Sequence, residues 1–281
     1  MHARTSLVVG CLGLISILGV LRAQKPFKAY PAVEYEEGDP RVPLPKDWNQ
    51  PAEWVRARLR YPDIYGYPDR SRIQLGPGRP WPGQWTMDFP RSDRHLLEGV
   101  RRLTRIDSRS AEQVVTLDGT DDIYNWPTLY AVEVGHWLLP NDQAKQLREY
   151  LLRGGFLMVD DFHGTEDWED FMRGLREFLP NAQVEDLNDN DEIFHVLFDL
   201  SNRFQIPGEQ YVMSGRTYEK DGYVAKWRGI RDDKGRIIVA ICYNMHLGDA
   251  WEWADDPRYP ENFASMAFRV GLDYIMYGMT H

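Results

Sequence analysis

The residues best suited to chemistry follow one short apolar run, at positions 154–159. Two carboxylates, Asp160 and Asp161, come directly after it, and His163 stands two residues further on. Carboxylates and imidazoles act as general bases and bind divalent metals. Successive strand residues point to opposite faces, so one Asp is expected to bind backbone amides at the start of the next helix while the other faces a crevice with His163. The pattern leaves open whether this group is catalytic or structural.

A second polar group follows another apolar run near the C-terminus. It comprises Asn244, His246, Asp249, Trp251, Glu252 and Trp253. The Asn-x-His pair and the following Gly-Asp pair offer oxygen and nitrogen ligands, and the two Trp residues are spaced like the walls of a groove. The combination favours a ligand-binding loop. The alternative is that Asp249 caps a short helix and the Trp pair packs on a sheet.

His136 ends a third apolar run and is expected at the same sheet edge. Adjacent parallel strands lie about 4.8 Å apart, so His136 could approach Asp161 from a neighbouring strand. The candidate ligands for zinc, manganese or iron are His136, Asp161, His163, His246 and Asp249. No two of them have the i, i+4 spacing of a zincin helix. The sequence therefore leaves the metal and any other cofactor unknown.

Other familiar signatures do not occur in the sequence. It contains no Gly-x-Ser-x-Gly elbow, no Gly-x-Gly-x-x-Gly and no P-loop, and the acidic run at 186–192 lacks the Gly and final Glu of an EF-hand. The net charge of −10 argues against nucleic acid and against anionic membranes as partners. A small molecule, a carbohydrate or a protein remains open as the ligand.

The elements that must position these groups alternate between strands and amphipathic helices. Strands are predicted at 54–61, 112–117, 128–134, 156–160 and 183–187, and helices beginning near Ser92, Pro140 and Thr165. This alternation indicates βαβ units and a mostly parallel sheet. A hairpin (223–231 and 236–243) and a last helix (260–279) follow. Apolar and basic residues alternate in the first strand, which predicts one wet face near a sheet edge.

The first 50 residues differ in character from the rest. Residues 1–23 have a basic start, an apolar core and a small residue before Gln24, which predicts a signal peptide cleaved after Ala23. An uncleaved anchor and lipidation at Cys11 are the alternatives. Residues 24–50 are predicted as a Pro-rich extended arm and 51–281 as the folded domain. We therefore expect a periplasmic or secreted protein that touches a membrane only through an uncleaved leader.

From Trp85 onward the chain resembles a bacterial family, DUF4159 (domain of unknown function 4159). The residues that carry the resemblance are Arg94-His95, the run 101–105, the run 154–161 and the segment 243–254. That family is similar to the class I glutamine amidotransferase-like superfamily. The resemblance implies a flavodoxin-like three-layer α/β/α sandwich.

In amidotransferases the strand that matches residues 156–160 ends in a sharp turn bearing a nucleophilic Cys. Asp161 occupies that position here and no Cys lies nearby, which excludes glutamine hydrolysis by a thiol. The expectation is an exported binding or scaffold protein of the cell envelope that kept the crevice and lost the nucleophile. The alternative is a hydrolase, with or without a metal, that uses Asp161 or His163 as general base on a carbohydrate- or peptidoglycan-type substrate.

Overall fold

The structure is a computed structural model that describes residues 44–63, 74–76, 79–80 and 83–281. The predicted leader and the predicted arm up to residue 43 lie outside the described residues. The strands are β1 (Ala57–Arg60), β2 (Gln74–Gly76), β3 (Arg79–Pro80), β4 (Gln113–Thr116), β5 (Thr128–Val132), β6 (Phe156–Asp160), β7 (Glu185–Asp186), β8 (Lys226–Arg231) and β9 (Ile237–Tyr243). The α-helices are α1 (Arg91–Leu103), α2 (Asn141–Leu152), α3 (Gly164–Phe178), α4 (Gln210–Ser214), α5 (Leu247–Glu252) and α6 (Glu261–Thr280).

Seven of these strands form one sheet in the order β4-β1-β5-β6-β9-β8-β7. Neighbours from β4 to β9 pair in parallel, and β8 and β7 add antiparallel pairs at one end. β5 and β6 are buried along their whole length, as strands covered on both faces must be. The predicted mostly parallel sheet, with a hairpin and a long final helix, is confirmed.

Helices cover both faces of this sheet. Alternate residues of β5 and β6 enter two separate apolar clusters, with Leu129 and Leu157 in one and Tyr130 and Met158 in the other. Helices α2 and α3 pack in the first cluster, and α1, α5 and α6 pack in the second. The result is a three-layer α/β/α sandwich, as the resemblance implied.

β1 lies between the edge strand β4 and β5, so the predicted position near a sheet edge is confirmed and the predicted wet face is wrong. Arg56 and Arg58 of that face are buried against α1. Asp93 of α1 accepts hydrogen bonds from Arg56 Nε at 2.9 Å and from Arg58 Nε at 2.7 Å. The Arg56 guanidinium also lies 3.6 Å from the centre of the Tyr130 ring. Because one buried carboxylate serves both arginines, an alternating basic pattern is compatible with a covered strand.

The C-terminal half departs from prediction in the lengths of its strands. The strand expected at 183–187 shortens to the two residues of β7, and β8 begins at Lys226 rather than at 223. Residues 209–224 instead cross the carboxyl edge of the sheet.

None of the described helices combines the length and the apolar character needed to span a membrane.

Candidate functional site

The turn after β6 holds the first site residues in an unusual backbone conformation. Asp160 ends the strand, and Asp161 then adopts a left-handed conformation with φ of 58°. The following Phe162 is fully buried in the apolar layer beneath α3, which fixes the direction of the turn. His163 precedes the first residue of α3, and its backbone N–H donates to Asp167 Oδ2 at 2.8 Å. The turn therefore presents Asp161 and His163 together.

The two consecutive carboxylates have different roles, as the alternation of a strand predicts. Asp160 Oδ2 accepts hydrogen bonds from the backbone N–H groups of Leu247 and Gly248, both at 2.9 Å, and from the Tyr130 hydroxyl at 3.0 Å. It therefore anchors the start of α5, whereas the sequence suggested the helix that follows directly. Burial and the adjacent Asp161 raise the pKa of Asp160 to about 7, against these hydrogen bonds.

Asp161 lies between two histidines that come from different parts of the chain. Its Oδ1 is 3.2 Å from His163 Nε2 and 2.6 Å from His246 Nδ1. The two imidazole rings stack with their centres 4.1 Å apart. All three side chains are buried, with 4% exposure for Asp161 and His163 and 7% for His246. We call these three residues the Asp–His–His cluster.

The contacts of His246 are close without being aligned hydrogen bonds. Neither ring nitrogen of His246 has a hydrogen-bond partner of acceptable geometry, even though its Nδ1 lies 2.6 Å from Asp161 Oδ1. The Nδ1 atom of His163 is also buried without a hydrogen-bond partner. One candidate ligand atom from each member lies within 4.8 Å of the other two. His163 Nε2 forms a hydrogen bond with Asp161 Oδ1 at 3.2 Å, and a bound ion would take the place of this contact.

The charges around the cluster are mostly negative. Asp249 Oδ2 lies 3.6 Å from His246 Nδ1, and Glu219 Oε1 lies 3.5 Å from its Nε2. Burial lowers the pKa of His246, but Asp161, Asp249 and Glu219 outweigh it and raise the pKa to about 10. Burial and the neighbouring His246 lower the pKa of His163. Burial would raise the pKa of Asp161, but His246 and His163 hold it below its usual value.

Two further acidic positions adjoin the cluster. Carboxylate oxygens of Asp88, Asp249 and Glu252 lie within 4.8 Å of one another. Burial, then the charges of Asp249 and Glu252, raise the pKa of Asp88 well above its usual value. On the other side, burial and the charge of Asp161 raise the pKa of Glu133 to about 7. This edge of the sheet therefore concentrates carboxylates that repel one another.

The structure separates some of the other predicted site residues from the cluster. His136 Nδ1 lies 3.0 Å from Glu133 Oε2, so its near partner is that carboxylate and not Asp161. Asn244 braces the backbone: its Oδ1 accepts from Gly164 N–H at 2.9 Å and its Nδ2 donates to the carbonyl of Val224 at 2.9 Å. Glu252 contributes to the acidic group beside Asp249.

The two tryptophans do not line an open groove. Trp251 is fully buried and packs against the ring of Tyr130, with centres 5.8 Å apart. Trp253 is also buried, and the guanidinium of Arg91 lies 5.5 Å from its ring centre. Both residues belong to α5 or to its end, which corrects the expectation of groove walls in favour of packing beneath the sheet edge.

Backbone strain is concentrated at the same edge. Among the described residues five non-glycine residues have positive φ, between 50° and 63°: Asp88, Glu133, Asp161, Lys220 and Asn244. All five lie around the cluster. Such conformations are unfavourable for residues with a side chain and gather at ligand sites.

Three residues near the cluster are not marked by any motif in the sequence. Glu133 directly follows β5, and its N–H donates to the carbonyl of Asp160 at 3.1 Å, so the register of adjacent parallel strands could have revealed it. Asp88 and Glu219 lie in segments without a periodic pattern. No feature of their sequence context predicts that they approach His246 or Asp249.

The fold and the site together define an α/β/α sandwich with a buried Asp–His–His cluster at the carboxyl edge of its parallel strands. Residues 71–279 match the family model described as Domain of unknown function (DUF4159). The chain belongs to this family, which confirms that part of the resemblance. No curated protein matches the chain.

Proposed function

We propose that this protein is an exported metal-dependent hydrolase whose metal ligands are Asp161, His163 and His246. The observation that carries the proposal is the convergence of one oxygen and two nitrogens, all buried, within 4.8 Å. Two histidines and one carboxylate are a common ligand set of catalytic zinc and of other transition metals, and three protein ligands leave a position for water. The surrounding carboxylates supply a negative field that a divalent cation neutralises.

The chemistry would be activation of water for attack on an electrophilic carbon. A metal held by three protein ligands lowers the pKa of its bound water, which makes hydroxide available near neutral pH. Glu133 lies at the same edge, where its backbone N–H donates to the Asp160 carbonyl at 3.1 Å, and we assign its carboxylate as the general base for that water. Asp160 is already engaged by two backbone N–H groups and a hydroxyl, so it is assigned to holding α5.

The proposal also assigns the fold to the class I glutamine amidotransferase-like superfamily, with its nucleophile replaced. The left-handed Asp161 after β6 supports this assignment, because the superfamily's Cys sits on a sharp turn at the matching position. Cys242 cannot substitute for that thiol: it is buried in β9, and burial raises its pKa well above the usual value. A metal-activated water would supply the nucleophile in place of the thiol.

Export and substrate class rest on the N-terminal sequence. A leader cleaved after Ala23 would deliver the domain to the periplasm or outside the cell, where carbohydrate- and peptidoglycan-type substrates occur. The competing function is a binding or scaffold protein of the cell envelope that does not use the cluster for chemistry. N-terminal sequencing of protein recovered from the periplasm tests export, with Gln24 expected as the first residue.

The decisive experiment is metal analysis of protein purified without a His tag. Wild-type protein should carry about one equivalent of a transition metal. Asp161→Asn and His246→Ala should each carry less than about a tenth of that amount. His195→Ala is the matched control, because His195 lies outside the cluster and bonds to the Asp189 carbonyl. Metal-free wild-type protein that also fails to take up added Zn²⁺, Mn²⁺ or Fe²⁺ would refute the proposal.

A metal-loaded protein should then hydrolyse members of a panel of muropeptides, oligosaccharides and acyl esters. Activity should disappear in Asp161→Asn and should survive in His195→Ala. Stoichiometric metal without any hydrolysis across the panel would favour the binding protein.

A further inference from the structure

One segment, residues 209–224, passes over the Asp–His–His cluster and has almost no core of its own. We call it the strap. Gly222 is its one buried residue, and the short helix α4 within it buries no side chain. Met213, Tyr223 and Val224 are largely exposed. A segment with so little buried apolar surface has low local stability and opens more easily than the sheet beneath it.

Polar contacts hold the strap to the domain. Lys220 Nζ lies 2.6 Å from both carboxylate oxygens of Asp167 in α3. Asp221 accepts from Thr165 twice, at 2.8 Å from the backbone N–H and at 2.5 Å from the hydroxyl. At the other end, the N–H of Glu209 donates to Asp249 Oδ2 at 2.9 Å. The contacts of Asp221 and Glu209 lie at the surface, whereas the Lys220–Asp167 pair is partly buried.

The strap also rests directly on the site. Glu219 Oε1 is 3.5 Å from His246 Nε2, whereas Asp161 faces the other ring nitrogen, Nδ1. At the edges of the strap the backbone lies so close to its neighbours that a side chain at either of two glycines would displace them. A Cβ at Gly208 would collide with Asp249, and one at Gly222 would collide with Asn244. With the strap in place the three cluster side chains are almost completely hidden from solvent.

We propose that the strap is the gate of this site and that Glu219 is a positioning residue for His246. The inference rests on the proposed function, because a buried cluster that acts on a substrate needs a way in. A histidine that binds a metal through one ring nitrogen is usually held by a carboxylate at the other, which fixes the ring and its tautomer. Closing the strap brings Glu219 to that position beside His246. The same movement therefore closes the route of the substrate to the cluster and completes the support of the histidine.

The gate is tested first without any metal, through the reactivity of His163 toward diethyl pyrocarbonate. Lys220→Met removes the anchor at Asp167, and modification of His163, followed by mass spectrometry, should become about tenfold faster. Lys226→Met is the matched control, since Lys226 of β8 pairs with Asp186 of β7, outside the strap. Asp221→Ala releases the contact to Thr165 and gives an independent variant. Unchanged modification rates in both strap variants would overturn the gate.

The role of Glu219 is tested by the affinity of the chelator-treated protein for Zn²⁺. Glu219→Gln should bind Zn²⁺ roughly 10- to 100-fold more weakly, and Glu219→Asp should recover part of that loss. Glu261→Gln, at the start of α6, is the matched control. Affinity that is equal in Glu219→Gln and wild type would overturn the positioning role. A wild-type protein that binds no Zn²⁺ would refute the proposed function instead, while the His163 rates still decide whether the strap is a gate.

Discussion

The Asp161→Asn substitution should lower the free energy of unfolding most at low pH, and the loss should shrink as the pH rises. In the metal-free protein Asp161 is the nearest carboxylate to His246, and it is the foremost group that raises the pKa of this histidine from 6.5 to about 10, against burial. A raised pKa in the folded state stabilises the fold fully below pH 6.5. That contribution is lost as the pH rises through 10. Replacing Asp161 by Asn removes most of it.

The size of the effect follows from the shift. A pKa raised from 6.5 to about 10 corresponds to roughly 5 kcal/mol below pH 6.5, about 3 kcal/mol at pH 8 and less than about 1 kcal/mol at pH 9.5. These values are upper bounds for the variant, because Asp249 and Glu219 still raise the pKa of His246. The free energy of unfolding should therefore fall by about 2–4 kcal/mol more at pH 6 than at pH 9.5.

Urea unfolding of chelator-treated protein at pH 6, 8 and 9.5 measures this difference. Asp142→Asn is the control, since Asp142 lies on the exposed surface of α2, and it should change the free energy of unfolding little at any pH. A loss that is the same at all three pH values, or that grows toward high pH, would show that Asp161 does not stabilise a protonated His246. The electrostatic description of the cluster would then be wrong.

Three further variants, at Asp160 and Asp93, test the buried polar groups of the domain. Asp160→Ala leaves three buried donors without an acceptor and should lower the free energy of unfolding by about 3–5 kcal/mol in urea titrations at pH 8; Asp160→Asn keeps one acceptor and should lose less than half of that. Asp93→Asn leaves Arg56 and Arg58 buried without a carboxylate and should cost about 3–5 kcal/mol by the same measurement. A loss below about 1 kcal/mol in either Asp160→Ala or Asp93→Asn would show that water compensates these groups.

The sheet was predictable because its strands carry local signals. The apolar run of β6 and the Gly154-Gly155 pair that precedes it mark a covered strand after a helix, and the structure has both. β1 was misinterpreted for a physical reason. Arginines that alternate with apolar residues are typical of a strand with one face in solvent. No local feature of the sequence indicates that Asp93, some 35 residues away, neutralises them in the interior. Long-range ion pairs cancel the hydrophobic pattern on which such predictions rely.

The same limit applies to the site. Asp161 and His163 are neighbours in sequence, and His246 follows the strand β9 that pairs with β6, so parallel-strand geometry predicts their proximity. Glu219 comes from the strap, whose course depends on anchors such as Lys220 with Asp167. The Trp251 side chain was misplaced because residues 247–252 form a helix rather than an extended loop.

The physical chemistry of this edge points to function more firmly than any single contact. Left-handed conformations at Asp88, Glu133 and Asp161 each cost about 1–2 kcal/mol relative to ordinary backbone. Burial and mutual repulsion of carboxylates raise the pKa values of Asp88 and Glu133. Keeping these groups ionised at neutral pH therefore lowers the stability of the fold further. A divalent cation at the Asp–His–His cluster would relieve the repulsion, and the rigid sandwich supplies the stability that holds the strained turns in place.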